Sequence, residues 1–255
     1  MRLLRATIRL IALCCITGFY YLRWLAGIPL FLTSSRQALR WRNRNFTDWA
    51  WASAWIMGLS IHIRNTPPVA PFLLISNHLS YVDIVVLASQ LNCAFVAKSE
   101  VARWPILGFV SASMNTVFID RKRKRDLLRA MSTAEATLDR GLGLVLFAEG
   151  TSTGGGKPQP FKSSMLDFAA RRRMPVHYAS IEYLVAPDEQ PARQSVCWWG
   201  SMTFPGHLFR LLQLPAFEAY LTFGSQPIIN EDRRLLAAQL WSAVSAQLKP
   251  LGVET

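Results

Sequence analysis

The sequence predicts an α/β fold in which a largely parallel mixed sheet is flanked by helices, with an N-terminal membrane-associating helical segment. Apolar segments of strand length recur from residue 72 onward, helical patterns separate several of them, and the first 64 residues are rich in apolar and basic side chains. A chain of 255 residues can hold one large α/β domain and an appendage. We therefore divide the chain into membrane-associating helices over 1–64 and one larger α/β domain over 65–255.

The N-terminal segment predicts attachment to a membrane. An apolar run at 10–22 follows three arginines, and residues 1–64 carry +8 of the formal net charge of +12. Arginine interleaved with tryptophan over 36–55 suits an anionic headgroup layer. A signal peptide has the same outline, but no A-x-A cleavage site follows the run, so we expect it to be retained.

The apolar run is too short to cross a bilayer alone. Joining it to 24–32 gives a spanning length only if Arg23 is buried, at about 3 kcal/mol. We favour two helices that dip into one leaflet, with flanking arginines reaching lipid phosphates, over a full crossing. Positive charge at both ends of the run predicts that the remaining chain lies on the cytoplasmic face of the inner (plasma) membrane.

Other partners are less well supported by the composition. Nucleic acid is the usual rival for a basic protein, but no recognised nucleic-acid motif is present, so none is expected. The four cysteines have no C-x-x-C spacing and no matching histidine cluster. We expect reduced thiols and no metal site.

The remaining elements follow in order along the chain. A helix is predicted around 45–63, and "NTPPVAP" at 65–71 breaks the chain before the α/β domain. Strands are predicted at 72–76, 93–97, 116–119, 144–148, 175–181, 195–199 and 218–224, and helices at 80–90, 123–140, 161–173 and 231–248. In such sheets, sites gather beyond the carboxyl ends of the strands. Three polar stretches fall there: "SNHLSYVD", "DRKRKRD" and "EGTSTGGGKPQPFK".

His78 and Asp83 form the first candidate constellation. Inside one helix they would lie about 140° apart, so they can meet only if the helix begins between them. Ser80 to Asp83 reads S-x-x-D, a capping box that makes Ser80 the N-cap and Asp83 the third helical residue. The pair can serve as a base and its orienting carboxylate, or simply as a capping histidine beside a helix-dipole aspartate.

No nucleophile signature such as G-x-S-x-G accompanies the pair. A base without an enzyme nucleophile suggests that the substrate supplies the attacking group. Direct acyl transfer from a thioester to a hydroxyl fits that description.

Four ordered motifs resemble those of the glycerolipid acyltransferases, the lysophosphatidic acid acyltransferase family. Asn77-His78-x-x-x-x-Asp83 resembles the first motif, and "VAKSEVARWPILGFV" (96–110) resembles the segment after it. The second, third and fourth motifs of the family are matched in order by "NTVFIDR" (115–121), "FAEGTSTGGGKPQPFKSSML" (147–166) and "MPVHYASI" (174–181). The resemblance covers about residues 70–185 and implies the glycerolipid acyltransferase fold.

The resemblance also implies roles for individual residues. His78 would be the general base, Asp83 its orienter, and Lys98 would help to stabilise the oxyanion of the thioester carbonyl. The implied substrate-binding residues are Asn77, Arg121, Glu149, Gly150, Thr151 and Ser152. Arg121, which would bind the acceptor's anionic headgroup, also begins a basic run that could be a solvated surface. Lys98 could be an ordinary lysine at a strand end.

The third motif departs from the family pattern P-E-G-T-R. Ala148 precedes Glu149, and Ser152 stands where an arginine that holds phosphate is usual. Lys157 or Lys162 could substitute, or the acceptor could lack a phosphomonoester. Together with "CWWGSMTFPGHLF" (197–209), the altered motif resembles the lyso-ornithine-lipid acyltransferase branch.

The resemblance therefore implies an O-acyltransferase in membrane lipid biosynthesis. It would move a fatty acyl chain from acyl carrier protein or coenzyme A to the hydroxyl of 1-acyl-sn-glycerol-3-phosphate or lyso-ornithine lipid, without cofactor or metal. Two alternatives stay open: a non-catalytic lipid-binding or membrane-scaffold protein, and a thioesterase in which His78 activates water.

Overall fold

The computed structural model describes residues 1–29, 35–103, 116–119 and 124–248. The helices are α1 (Arg2–Ala26), α2 (Ser35–Met57), α3 (Val82–Gln90), α4 (Lys124–Asp139), α5 (Asp167–Arg171), α6 (Ala192–Ser195), α7 (Phe204–Leu211) and α8 (Arg233–Gln247). The strands are β1 (Leu59–Arg64), β2 (Leu73–Ser76), β3 (Cys93–Lys98), β4 (Val117–Ile119), β5 (Gly143–Phe147), β6 (Val176–Val185) and β7 (Phe217–Phe223). Short 3-10 helices lie at Ser99–Arg103 and Ser163–Met165.

Within the described part of the chain, the strands form one sheet in the order β1-β7-β6-β2-β5-β3-β4. Strands β6 and β7 pair antiparallel, and the other neighbouring pairs are parallel. The predicted largely parallel mixed sheet is therefore confirmed. Because β2, β3, β4, β5 and β6 run in the same direction, their carboxyl ends meet at one edge, which is where sites form in such sheets.

Helices cover both faces of the sheet. On β2, Leu74 points into one apolar cluster with residues of α2 and α3, whereas Leu73 and Ile75 point into the other. The second cluster includes Leu236, which lies on α8 together with other buried apolar residues spaced three and four apart. This alternation between the faces is the pattern expected of strands that are buried on both sides.

Three elements differ from the sequence-based prediction. The helix predicted over 45–63 begins at residue 35 and ends at Met57, and 59–64 form the edge strand β1, so the sheet begins before residue 65. The strand predicted at 195–199 is wrong: the short helix α6 is followed by a loop that buries Val196 and Cys197. The helix predicted over 161–173 is divided into a 3-10 turn and α5.

The two N-terminal helices pack against each other and neutralise Arg23. The Arg23 guanidinium is 2.7 Å from the carboxylate of Asp48, which is the one acid among residues 1–64. It also lies over the rings of Tyr20 and Trp41, 5.6 and 5.1 Å from their centroids. Pairing and ring contacts reduce the cost of placing this cation among apolar side chains.

Helix α1 combines a membrane-compatible surface with firm attachment to the domain. Among the described helices it is the one long and apolar enough to cross a bilayer by length and composition. Arg5 donates to the carbonyl of Gln213, and Arg9 donates to those of Leu214 (2.6 Å) and Pro215 (3.0 Å). These arginines were expected to reach lipid phosphates, but they satisfy carbonyls in the turn that follows α7.

Candidate active site

The predicted meeting of His78 and Asp83 occurs in the turn between β2 and α3. Nδ1 of His78 lies 2.7 Å from Oδ2 of Asp83, which is fully buried, and the His78 side chain is 20% exposed. The helix does begin between them, as expected. The predicted capping box is wrong in detail, because Tyr81 is the N-cap and Val82 the first helical residue. The Asp83 carboxylate instead reaches back to the turn before the helix.

Four donors hold the Asp83 carboxylate. Oδ2 accepts from the backbone N–H groups of Leu79 (2.7 Å) and Ser80 (3.0 Å) as well as from the His78 ring. Oδ1 accepts from the Tyr183 hydroxyl at 2.6 Å. A buried carboxylate is tolerated when it is hydrogen-bonded in this way. Asp83 is therefore held in one orientation relative to His78.

Tyr183 was missed by the sequence analysis. It lies on β6, two residues beyond the last matching motif, and is 1% exposed. Burial, together with the neighbouring charge of Asp83, raises the pKa of its hydroxyl, so the hydroxyl stays protonated and donates. The available signal in the sequence is a tyrosine in a buried strand, because its hydroxyl needs a hydrogen-bond partner. The sequence does not identify that partner.

His78 is held through both its ring and its backbone. Its ring stacks on Phe147 at a centroid distance of 4.1 Å. Its backbone N–H donates to Glu149 at 2.7 Å, and its carbonyl accepts from the N–H of Thr153 at 2.9 Å. With Nδ1 bound to Asp83, Nε2 is the ring nitrogen that is left to take a proton from a substrate.

Glu149 joins two loops at the edge of the sheet. It is 2% exposed, and its two oxygens accept from the backbone N–H groups of His78 and Gln159, each at 2.7 Å. Burial raises the pKa of the carboxyl to about 6, and these two hydrogen bonds oppose the shift. Gly150 follows with φ +79°, a conformation that favours glycine. Beyond it, Thr151 is exposed and Ser152 is half-buried.

Asn77 bridges β2 and β6 beyond the last backbone pair of these strands. Its side-chain nitrogen donates to the carbonyl of Ile181 (2.9 Å), and its oxygen accepts from the N–H of the same residue (2.8 Å). The amide is buried and extends the pairing that ends at Ser76 and Ala179. This arrangement fixes the start of the His78 turn, and a contact of Asn77 with substrate stays a prediction.

Two of the predicted site residues cannot be placed as side chains. Lys98 is the last residue of β3, at the same edge of the sheet as His78, but its side chain is outside the described part of the structure. Arg121 lies outside the described residues altogether. Their roles with the oxyanion and the headgroup stay predictions. Among the described residues, no group of three or more His, Cys, Asp or Glu could hold a metal ion.

The segment after α6 packs on the turn that holds His78. The N–H of Trp198 donates to the carbonyl of Leu79 at 2.8 Å. His207 on α7 is fully buried, and its Nδ1 lies 3.0 Å from the Tyr81 hydroxyl. Burial lowers the pKa of His207 to about 4, so that it is neutral at neutral pH. The segment 197–209 thus forms one wall of the site.

Comparison with known proteins agrees with this geometry. The family model described as "Acyltransferase" matches residues 59–182. A lyso-ornithine lipid O-acyltransferase of Brucella abortus is 32% identical over 191 residues, which is 70% of this chain and 72% of the relative. A 1-acyl-sn-glycerol-3-phosphate acyltransferase of Neisseria meningitidis is 24% identical over 240 residues, which is 89% of this chain and 93% of the relative.

A solved structure shares the fold. The crystal structure of the 1-acyl-sn-glycerophosphate (LPA) acyltransferase PlsC from Thermotoga maritima superposes with a TM-score of 0.66 at 19% identity, covering 97% of this chain and 98% of that one. The family model and the Brucella abortus relative confirm the family resemblance of the motifs. This chain belongs to the acyltransferase family that contains the lyso-ornithine lipid and 1-acyl-sn-glycerol-3-phosphate acyltransferases.

Proposed function

We propose that this acyltransferase moves a fatty acyl chain from a thioester donor to the hydroxyl of lyso-ornithine lipid, with His78 as the general base. The observation that carries the mechanism is the buried Asp83 carboxylate, which holds Nδ1 of His78 at 2.7 Å while three further donors hold the carboxylate. This arrangement orients the imidazole and stabilises the imidazolium that forms when Nε2 takes a proton.

The reaction needs no covalent enzyme intermediate. Nε2 of His78 takes the proton of the acceptor hydroxyl while the oxygen attacks the thioester carbonyl. The resulting tetrahedral oxyanion collapses, the carbon–sulfur bond breaks, and the imidazolium returns its proton to the departing thiolate. Asp83 stays ionised throughout and balances the charge of the imidazolium. We assign stabilisation of the oxyanion to Lys98, at the end of β3.

Two observations favour lyso-ornithine lipid as the acceptor. Ser152 stands where the family usually has a phosphate-binding arginine, so a phosphomonoester would lack one of its cations. Relatives named lyso-ornithine lipid O-acyltransferase are 29–32% identical to this chain over 70–80% of it. Relatives named for 1-acyl-sn-glycerol-3-phosphate are 24–25% identical over 74–89% of the chain, or 29% identical over 48% of it. Lysophosphatidic acid is the alternative acceptor.

The surface supports a membrane-bound enzyme with a soluble donor. Exposed apolar side chains, including Leu4, Ile8, Ile11 and Phe19, lie along α1, and Trp51 and Trp55 are exposed on α2. We propose that this surface lies in the cytoplasmic leaflet of the inner membrane. The net charge of +12 would attract the acidic surface of an acyl carrier protein or the phosphates of coenzyme A.

The test is transfer of a labelled acyl group by the purified protein in detergent. Lyso-ornithine lipid and lysophosphatidic acid are offered separately, each with acyl carrier protein or coenzyme A thioester, and a reaction without acceptor reports thioesterase activity. We expect transfer to lyso-ornithine lipid and a loss of at least about 100-fold in His78→Ala, since a positioned base contributes 10²–10⁴-fold.

Three outcomes would contradict the proposal. Near-normal transfer by a folded His78→Ala variant would show that His78 is not the general base. Free fatty acid as the main product without acceptor would favour a thioesterase. Absence of turnover with either acceptor would favour a lipid-binding or scaffold protein.

A further inference from the structure

The missing arginine at position 152 raises the question of which cation meets an anionic group of the acceptor. Lys157, the nearest candidate in the sequence, is engaged elsewhere. Its Nζ lies over the ring of Trp241 on α8, 4.6 Å from the centroid, and the indole N–H of Trp241 donates to the carbonyl of Pro158 at 3.0 Å. This pairing turns Lys157 toward α8.

Arg193 lies against the same glycine-rich loop. Its guanidinium carbon is 4.9 Å from the centroid of the Trp199 ring, and the indole N–H of Trp199 donates to the Arg193 carbonyl at 2.9 Å. A Cβ added to Gly154 would lie 2.8 Å from the indole and 3.1 Å from Nε of Arg193. The backbone of the loop therefore touches both side chains, which leaves no room for a larger residue at Gly154.

This pair lies beside the catalytic turn. Thr153, which precedes Gly154, donates its N–H to the His78 carbonyl at 2.9 Å. The buried thiol of Cys197 reports the same proximity: burial and the charge of Asp83 raise its pKa to about 12, and the charge of Arg193 opposes the shift. The residue after Cys197 is joined to the same turn, since the N–H of Trp198 donates to the carbonyl of Leu79 at 2.8 Å.

The position also suits a lipid headgroup. Arg193 is exposed, so its guanidinium is open to solvent although one face is stacked on Trp199. The loop before α6 holds Glu189, whose carboxylate binds Arg2 of the membrane-associating helix α1 at 3.1 Å. This ion pair joins the loop before α6 to the N-terminal end of the membrane-associating helix α1.

We infer that Arg193, stacked on Trp199 above the Gly154 loop, forms a subsite that binds the carboxylate of the acceptor's headgroup. The inference rests on the proposed function and names a specificity determinant within it. A planar guanidinium binds a carboxylate through two parallel N–H groups, and stacking on an indole holds the plane in place. An ornithine headgroup linked through its α-amino group presents one such carboxylate and no phosphate.

The test compares Arg193→Gln with Arg234→Gln, which removes the same charge from an exposed position on α8. Steady-state kinetics are measured with lyso-ornithine lipid and with its carboxyl methyl ester. We expect Arg193→Gln to raise KM for the free acid about tenfold or more, with kcat within about twofold, since charge-assisted pairing contributes roughly a factor of ten or more. For wild type, the ester should show a similarly raised KM that Arg193→Gln does not raise further. Arg234→Gln should behave as wild type.

Arg193→Lys provides a second variant that keeps the positive charge but loses the two parallel N–H groups of the guanidinium. We expect its KM for the free acid to lie between those of wild type and Arg193→Gln. Unchanged KM in both Arg193 variants, or an equal loss for acid and ester, overturns the subsite. Wild-type KM that is insensitive to esterification also overturns it. If wild type does not transfer an acyl group to lyso-ornithine lipid, the proposed function fails and the subsite with it. If wild type transfers to lyso-ornithine lipid and both Arg193 variants have its kinetics, only the subsite is overturned.

Discussion

Replacing Tyr183 by phenylalanine removes one hydroxyl from the buried hydrogen bonds around Asp83. That hydroxyl donates to Oδ1 at 2.6 Å, and the ring itself is fully buried. A hydrogen bond to a charged group contributes about 1.5–3 kcal/mol. Without it Oδ1 loses its donor, and the carboxylate can turn away from the imidazole, which weakens its support of the imidazolium. We expect the free energy of unfolding to fall by about this amount and kcat to fall about tenfold.

The assay separates positioning from simple destabilisation. Tyr183 is buried behind Asp83, so KM for donor and acceptor should stay within about twofold of wild type while kcat falls. Tyr220→Phe on the neighbouring strand β7 is the matched control, since it removes a hydroxyl that donates to Glu218 at 2.8 Å. The hydroxyl should matter little once Asp83 is replaced, so Asp83→Asn and Asp83→Asn/Tyr183→Phe should have similar kcat. A full additive loss in the double variant, or wild-type kcat in Tyr183→Phe, would refute the reasoning.

Three further predictions concern stability and membrane binding. Because the pKa of Glu149 in the folded protein, about 6, exceeds its ordinary 4.5, the folded protein binds more protons between these values. The free energy of unfolding should therefore fall by about 2 kcal/mol from this group as pH rises through that window, and Glu149→Gln should remove this slope in denaturant titrations between about pH 4 and pH 7. Asn77→Ala should lower the free energy of unfolding by about 2–4 kcal/mol, because the buried N–H and carbonyl of Ile181 lose their partners. Unchanged stability with a raised KM would instead indicate substrate contact by Asn77. Asp48→Asn should weaken flotation with uncharged lipid vesicles because Arg23 loses its counter-charge, and adding Arg23→Gln should restore binding; a double variant as weak as the single one would argue against pairing.

Local patterns predicted most of the fold and the centre of the site. Alternating apolar strands and helical patterns predicted the sheet, and the S-x-x-D pattern predicted that a helix begins between His78 and Asp83. Ser80 was nevertheless the wrong N-cap, because the N-cap is Tyr81, one residue later, and the Asp83 carboxylate accepts from backbone N–H groups of the preceding turn. The predicted contact between His78 and Asp83 was still correct, because it depends only on whether the Asp83 side chain can reach the His78 ring.

Long-range partners were not predictable from the sequence. The hydroxyl of Tyr183 meets a carboxylate 100 residues away, and the Arg9 guanidinium meets carbonyls more than 200 residues away. Strand β1 was also missed, because an edge strand with a largely exposed face resembles the polar end of a helix. Likewise, an apolar run such as 195–199 does not distinguish a buried strand from a buried loop.

The contacts of Arg5 and Arg9 with the turn after α7 attach the membrane-associating helix α1 to the rest of the enzyme. Helix α1 is attached at its N-terminal end to the same region that carries His207, which contacts Tyr81 in the turn that holds His78. The height of His78 above the membrane is therefore set by the architecture of the protein instead of the length of a flexible tether. The enzyme should reach acceptor hydroxyls within one narrow band of depth, which makes the distance between headgroup and hydroxyl part of what it selects.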